Sequence, residues 1–273
     1  MTAAITIHYK KAKLTRRCVS TLLDDGWEPV LIWDNSADGG TSIRELELFF
    51  SDRPEVMIVV SPTNLGFGKG MNSALKHLEQ KGYSGDTLLI NNDTQVKRGM
   101  REAITNNLNN ISTPTLTAPC LRQNKEERRW LYYHPWLALV TRSALPGSFP
   151  YLTGCCLLLS NIDTKEPLFD EDFFMYGEDV ELSWRLQKQG GKLQLLEGEW
   201  LEHEGSASTG EASELYEQFL VRSHRLLAAK LASNRASKFW MQAARVPTLF
   251  ARACLRSIRF KSLTPLKAYF SAY

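Results

Sequence analysis

Apolar and polar residues alternate from Ala3 to Tyr9, after which Leu14, Cys18 and Leu22 recur at helical spacing until Asp24-Asp25-Gly26 interrupts them. This strand-then-helix unit returns twice. Pro29 to Trp33 is a short branched apolar run followed by a helical stretch around Ile43 to Phe50, and Val56 to Val60 precedes a helix over Gly70 to Gln80. A fourth apolar run, Thr87 to Ile90, stops at Asn91-Asn92-Asp93. Parallel strands need long crossovers, usually helices, so the alternation predicts an α/β chain with a mostly parallel central sheet and helices on both faces. Ligands bind such sheets beyond the carboxyl ends of the strands. His8, Asp34, Asn64 and Asp93 all fall just past a predicted strand or in the loop that follows one.

Regular periodicity lapses from about Ser112 to Phe149, where Trp130, Tyr132, Tyr133, His134 and Trp136 crowd together, and a long, mobile functional loop is expected there. A strand over Tyr151 to Ser160 follows. The acidic and aromatic segment Phe169 to Asp179 then leads into a helix bearing Val180, Leu182 and Trp184 to Leu186, closed by Gln189-Gly190-Gly191. Beyond Glu217 two or more helices are expected. In the second, Arg245, Arg252, Arg256 and Arg259 mark one face, while Val246, Leu249, Phe250, Cys254 and Ile258 cover another.

Composition narrows the class. With 273 residues, 43% hydrophobic and 23% charged, the chain suits one medium-sized domain with an appendage and is too apolar for a disordered protein. No apolar stretch approaches a membrane span, and Met1 to Lys10 runs into a strand without a signal-peptide pattern, so a cytoplasmic location is expected. Cys18, Cys120, Cys155, Cys156 and Cys254 form no Cys-x-x-Cys pair, and buried reduced thiols are expected. The net charge of +3 conceals a split: Phe219 to Tyr273 holds eleven Lys or Arg and no acid, leaving −8 on residues 1–218. A basic amphipathic tail of this kind suits an anionic membrane surface, or else a helix packed back on the domain with its arginines in water. Nucleic acid is not expected as a partner, because the strand-end sites are acidic.

Each chemical candidate has a structural counterpart. Asn91-Asn92-Asp93 is either an ordinary turn or a carboxylate placed to share a hard cation with substrate phosphates. Glu178-Asp179 is either a favourable first-turn acid pair or an acid-base site. Asn64 to Gly70 is glycine-dense but lacks the Gly-Lys-Ser/Thr ending of a Walker loop and is not a dinucleotide fingerprint, so it is a flexible turn or a close-approach loop. His203-Glu204-Gly205 offers an imidazole that is either structural or a ligand.

Taken in order, these segments resemble the family 2 glycosyltransferases of GT-A fold, and within them a bacterial rhamnosyltransferase-like branch; the likeness spans Ala3 to Ser208. It is carried by Ile7-His8-Tyr9-Lys10, Trp33-Asp34-Asn35-Ser36 with Asp38-Gly39, Asn64-Leu65-Gly66-Phe67-Gly68 with Asn72, Asn91-Asn92-Asp93, and Phe169-Asp170 through Glu178-Asp179 to Trp184-Arg185. Two positions depart from the family pattern: Lys10 stands for an Asn, and Asn91 for the first Asp of the metal motif, which removes one negative charge.

The resemblance implies a GT-A nucleotide-sugar-binding domain over residues 1–210 and a basic helical extension over 211–273. It implies an inverting, metal-dependent sugar transfer in bacterial surface polysaccharide or lipopolysaccharide synthesis, with Asp179 as base and its neighbour Glu178 as the alternative base. His8, Tyr9, Asp34, Asn64, Gly66, Gly68, Asn72, Asn92 and Asp93 would meet the donor, and Asp93 with His203 would hold Mg²⁺ or Mn²⁺. Gly154, Glu178, Trp184 and Arg185 would face the acceptor. The branch implies dTDP-L-rhamnose as donor, with a UDP-hexose as the alternative. The acceptor would be a saccharide, in one form lipid-linked through a polyprenyl diphosphate, met at the inner face of the cytoplasmic membrane. A sugar-nucleotide pyrophosphorylase would need a glycine-rich basic first loop that Tyr9 to Lys13 lacks. A non-catalytic, membrane-associated scaffold that binds nucleotide sugar is the remaining alternative.

Overall fold

Strand β1 (Ala3–His8) is buried on both faces, as a central parallel strand must be, and runs parallel to β2 (Val30–Asp34) and β4 (Thr87–Asn91). The computed structural model describes residues 2–108, 112–123, 126–128, 130–203 and 213–272. With β3 (Val56–Val60) outside β2, these four strands form the parallel half of the sheet. The other half is mixed: β11 (Cys156–Ser160) lies antiparallel between β4 and β6 (Thr115–Gln123), and β12 (Lys192–His203) runs parallel to β6 and antiparallel to β5 (Thr94–Val96).

The alternation within each strand separates two cores. Ala4, Val30, Ile32, Leu88 and Ile90 pack under α1 (Ala12–Asp24), α2 (Arg44–Phe49) and α4 (Met100–Leu108). Ile5, Leu31, Leu89 and Leu157 face α3 (Phe67–Gln80) and α5 (Glu178–Lys188) on the opposite side. Helices therefore cover both faces, as expected.

The stretch from Ser112 to Phe149 is not the long mobile loop the sequence suggested. It supplies β6, then β7 (Glu126–Arg128) against it, and then β8 (Leu131–His134) and β9 (Leu139–Thr141). With β10 (Phe149–Tyr151) the last two form a separate antiparallel sheet, ordered β10-β8-β9. The strand over Tyr151 to Ser160 is likewise divided, between β10 and β11. In β6 the core side chains Leu116, Ala118 and Cys120 alternate with buried Thr115 and Thr117, and Pro119 lies within the strand. Threonines and an internal proline mask the apolar alternation that a sequence reading relies on.

Helices α6 (Glu214–Leu231), α7 (Arg235–Phe260) and α8 (Thr264–Ser271) complete the chain. Ser213 caps α6 through the Tyr216 amide, and Asn234 with Ser237 forms a capping box on α7. Leu227, Ala228, Leu231 and Met241 share a core with Tyr133, Tyr151, Phe173 and Val180, so α6 and α7 pack directly on the body.

Of the four arginines that mark one face of α7, Arg245, Arg252 and Arg256 face the protein, not water as the packed-back alternative expected. Arg245 is fully buried and donates to the carbonyl oxygens of Pro135 and His224. Arg252 donates to His224 Nε2 at 2.9 Å, and Arg256 pairs with Glu217 at 2.6 Å. Val246, Phe250 and Ile258 face outward instead. The physical reason is that the body offers carbonyls, an imidazole and a carboxylate where an apolar face would leave them unpaired. Among the described residues no helix is long and apolar enough to cross a membrane.

Candidate active site

The carboxyl ends of β1, β2 and β4 place the first group of candidates. His8, at the end of β1, is fully buried, with Nδ1 2.7 Å from Thr15 Oγ1 and Nε2 3.1 Å from Ser42 Oγ. Burial lowers its pKa while Asp34 and Asp38 pull the other way, and the imidazole is read as neutral. Asp34, at the end of β2, is buried and accepts the Ser36 amide at 2.8 Å. The Lys10 amide and the Ser42 hydroxyl both donate to Ser36 Oγ, and Lys10 Nζ lies 5.1 Å from the centre of the Tyr9 ring. Beside this network an open cavity of about 590 Å³ is lined by Lys10, Lys11, Lys13, Thr41, Ser42 and Glu45. Its three lysines were not among the sequence candidates, although the Lys10-Lys11-x-Lys13 run immediately after β1 was a legible signal.

At the end of β4, Asn92 and Asp93 are each 6% exposed. Asn92 Nδ2 donates to Thr15 Oγ1 at 2.9 Å, tying the strand end to α1 and through Thr15 to His8. Asp93 precedes Thr94, whose backbone pairs with His203 at the end of β12. The two expected metal ligands therefore come from adjacent strand ends. The side chain of His203, and Glu204 and Gly205 entirely, lie outside the described residues.

The antiparallel pairing of β4 with β11 carries the strand end across to the acidic pair. Asn91 donates its amide to the Cys155 carbonyl at 2.9 Å, and Thr94 Oγ1 lies 3.3 Å from Cys155 Sγ. The next residue, Gly154, donates its amide to Asp179 Oδ2 at 3.0 Å. Two consecutive residues of the turn before β11 thus link the end of β4, two residues before Asp93, to Asp179 at the start of α5.

Tyr176 (φ 69°) and Gly177 (φ 89°), both left-handed, turn the chain into α5. A side chain at Gly177 would meet Ser223 and Leu227 of α6 at 3.2 and 3.3 Å, so the turn is held from the C-terminal helices as well. Burial, then the charge of Asp179, pushes the Glu178 carboxyl up to about 8. Burial raises Asp179 too, but the Gly154 and Val180 amides bonded to its carboxylate oppose this. The two adjacent carboxyls sit in unequal settings: Glu178 keeps its proton at neutral pH, while the two amides bonded to Asp179 favour the charged form of that carboxyl against its burial.

Several sequence candidates have other engagements. Gly66 donates its amide to Asn64 Oδ1 at 3.0 Å, and a Cβ there would lie 2.2 Å from the Phe174 carbonyl. Gly68 lies within α3, where a Cβ would meet Phe169 at 3.0 Å. Asn72 accepts the Phe169 amide at 2.9 Å and donates to its carbonyl at 2.8 Å. Whatever they do toward the donor, these residues clamp the segment 169–174 that leads to the acidic pair. Arg185, expected on the acceptor side, is braced by Glu181 at 2.9 Å and the Leu168 carbonyl at 2.6 Å, and half-buried Trp184 packs against the core beneath α6.

Among the described residues no group of three or more His, Cys, Asp or Glu side chains could hold a metal by itself. One carboxylate at a strand end fits a Mg²⁺-type site in which substrate phosphates and water complete the shell, and not an all-protein cage.

Solved structures share this fold. TarS residues 1–349 from S. aureus is 12% identical, with 99% of this chain and 78% of that one covered and a TM-score of 0.59. GalNAc-T7 with UDP, GalNAc and Mn²⁺ is 12% identical over 82% of this chain and 47% of that one, with a TM-score of 0.62. The mannosyltransferase PcManGT from Pyrobaculum calidifontis, in complex with GDP-Man and Mn²⁺, is 12% identical over 100% and 80%, with a TM-score of 0.58. The likeness establishes the GT-A fold expected from the sequence. No family model and no curated protein matches the chain.

Proposed function

We propose that this chain is an inverting glycosyltransferase that moves a sugar from a nucleoside-diphosphate donor to a saccharide hydroxyl. The single observation that supports the reading is the pair of hydrogen bonds Asn91–Cys155 and Gly154–Asp179, which ties the β4 end that leads to Asp93 to the acidic start of α5 in a GT-A sheet. Asp93 serves the leaving side, and Asp179 the attacking side. As the acceptor oxygen bonds to the anomeric carbon, its proton passes to the Asp179 carboxylate and the bond to the diphosphate breaks on the opposite face. One displacement inverts the centre, and no covalent sugar-enzyme intermediate forms. Mg²⁺ or Mn²⁺ on Asp93 and His203 supplies, when bound, Lewis-acid neutralisation of the diphosphate's developing charge.

Asp34, Tyr9 and the His8 network are assigned to the donor's nucleoside end, and the lysines beside them to its phosphates. Protonated Glu178 is assigned to the acceptor as a hydrogen-bond donor. The branch reading makes the donor dTDP-L-rhamnose and the acceptor a lipid-linked saccharide of surface polysaccharide or lipopolysaccharide synthesis, met at the inner face of the cytoplasmic membrane. A UDP-hexose is the second reading, favoured by the UDP held in TarS and in GalNAc-T7.

Thermal melting with dTDP-, UDP- and GDP-sugars, with and without Mn²⁺, tests this. A donor at a hundred times its Kd stabilises the native state by about 2.7 kcal/mol, a rise of roughly 5–10 °C for a chain of this size. The same donor should be slowly hydrolysed to nucleoside diphosphate, and Asp93→Ala should abolish that hydrolysis. No stabilisation by any donor would overturn the proposal, and binding without hydrolysis would leave the scaffold reading.

A further inference from the structure

Every exposed residue of α7 between Phe239 and Ile258 is apolar. Phe239, Trp240, Leu255 and Ile258 are 63%, 61%, 68% and 75% exposed. The only charged side chains in that stretch are Arg245, Arg252 and Arg256, and all three turn toward the body. The strip continues past α7: Leu263 and Phe270 are 64% and 65% exposed, and the Phe270 ring lies 6.2 Å from that of Phe250. Around its ends stand exposed Arg235, Lys238, Arg259, Lys261 and Lys267, with no acid anywhere after Glu217.

We propose that this face docks on an anionic phospholipid surface, with α7 lying in the interfacial plane and its rim cations at headgroup level. A soluble monomer rarely leaves so long an apolar strip in water. The rim decides the occupant. A second copy of the chain would bring two acid-free cationic borders together, whereas anionic lipid complements them. A protein interface also carries about one hydrogen bond per 100–200 Å², and between Phe239 and Ile258 the exposed side chains of this strip offer a single polar group, the Trp240 indole N–H, which suits the headgroup boundary of a bilayer. Aromatic and aliphatic side chains beneath basic ones, on one helix, are what interfacial insertion uses. The inference extends the membrane setting proposed above by naming the surface, and binding to lipid requires neither donor nor acceptor, so the two fail separately.

The test is cosedimentation of the full chain with phosphatidylcholine vesicles with and without phosphatidylglycerol. Binding should be at least about tenfold tighter with phosphatidylglycerol and weaken with added salt. The variant Trp240→Ser/Leu255→Ser/Ile258→Ser alters only exposed side chains and should melt like the parent while losing roughly a hundredfold or more in partitioning. Lys261→Glu/Lys267→Glu should remove the phosphatidylglycerol preference. Absence of vesicle binding, or binding indifferent to the triple variant, overturns the proposal. So does a dimer in solution that the triple variant converts to monomer, because a second copy would then be the occupant.

Discussion

Glu178→Gln separates the two acidic neighbours by a measurable pH slope. In the folded chain burial and the Asp179 charge move the Glu178 pKa from an ordinary 4.5 to about 8. Below about 4.5 the folded and unfolded chains both hold this proton, and its stabilising effect is fully present. As pH rises the unfolded chain ionises first, so stability drains away until the folded carboxyl also ionises near 8. At about 1.4 kcal/mol per pH unit, the whole interval amounts to on the order of 5 kcal/mol. Gln has the shape of the neutral acid and does not titrate. Its stability relative to the parent should therefore climb by on the order of 3–4 kcal/mol between about pH 5 and pH 8. Urea denaturation of both proteins at several pH values across that range reads the difference. A constant offset would refute the reasoning, because Glu178 would then be ionised in the fold at neutral pH and could not be the proton-bearing partner of Asp179.

Asp179→Asn keeps the volume but leaves one acceptor oxygen for the Gly154 and Val180 amides; sugar transfer should fall by about 10²–10⁴-fold with the fold intact, and a loss under about tenfold would remove Asp179 as base. Gly66→Ala drives a Cβ toward the Phe174 carbonyl 2.2 Å away at φ +77°, and should cost roughly 2–4 kcal/mol, read as a lowered Tm. Asn72→Leu strips the Phe169 amide and carbonyl of their side-chain partners and should destabilise by about 2–4 kcal/mol, with acceptor KM rising more than donor KM; equal rises would place Asn72 at the donor after all.

Much of this was legible in the chain, because parallel strands buried on both faces must be apolar and must be separated by helices. The runs ending at His8, Asp34 and Asp93 announced both the sheet and the edge at which ligands bind. Asp93 and Asp179 were legible as candidates for a simpler reason: one follows a strand abruptly and the other opens a helix. The link between the end of β4 and the start of α5 was not, since it depends on β11 running antiparallel to β4, and no local pattern encodes strand direction. The packing role of Gly66, Gly68 and Asn72 was hidden for a related reason. A glycine-rich turn before a helix states that something approaches closely, and only the fold identifies it as Phe174.

The orientation of α7 shows the limit most sharply. Helical periodicity divides a helix into two unlike faces but does not say which one the protein covers. Arg245 lies inside because its acceptors, Pro135 and His224, come from 110 and 21 residues away, and neither can be foreseen from the helix itself. A buried guanidinium satisfied in this way reverses the usual assignment for the whole helix, since Leu249 and Ala253 already complete the inner face and the remaining apolar residues have only solvent left. The exposed strip is then a direct consequence of how Arg245 is satisfied, and it forms a longer contiguous apolar surface than soluble monomers usually leave in water.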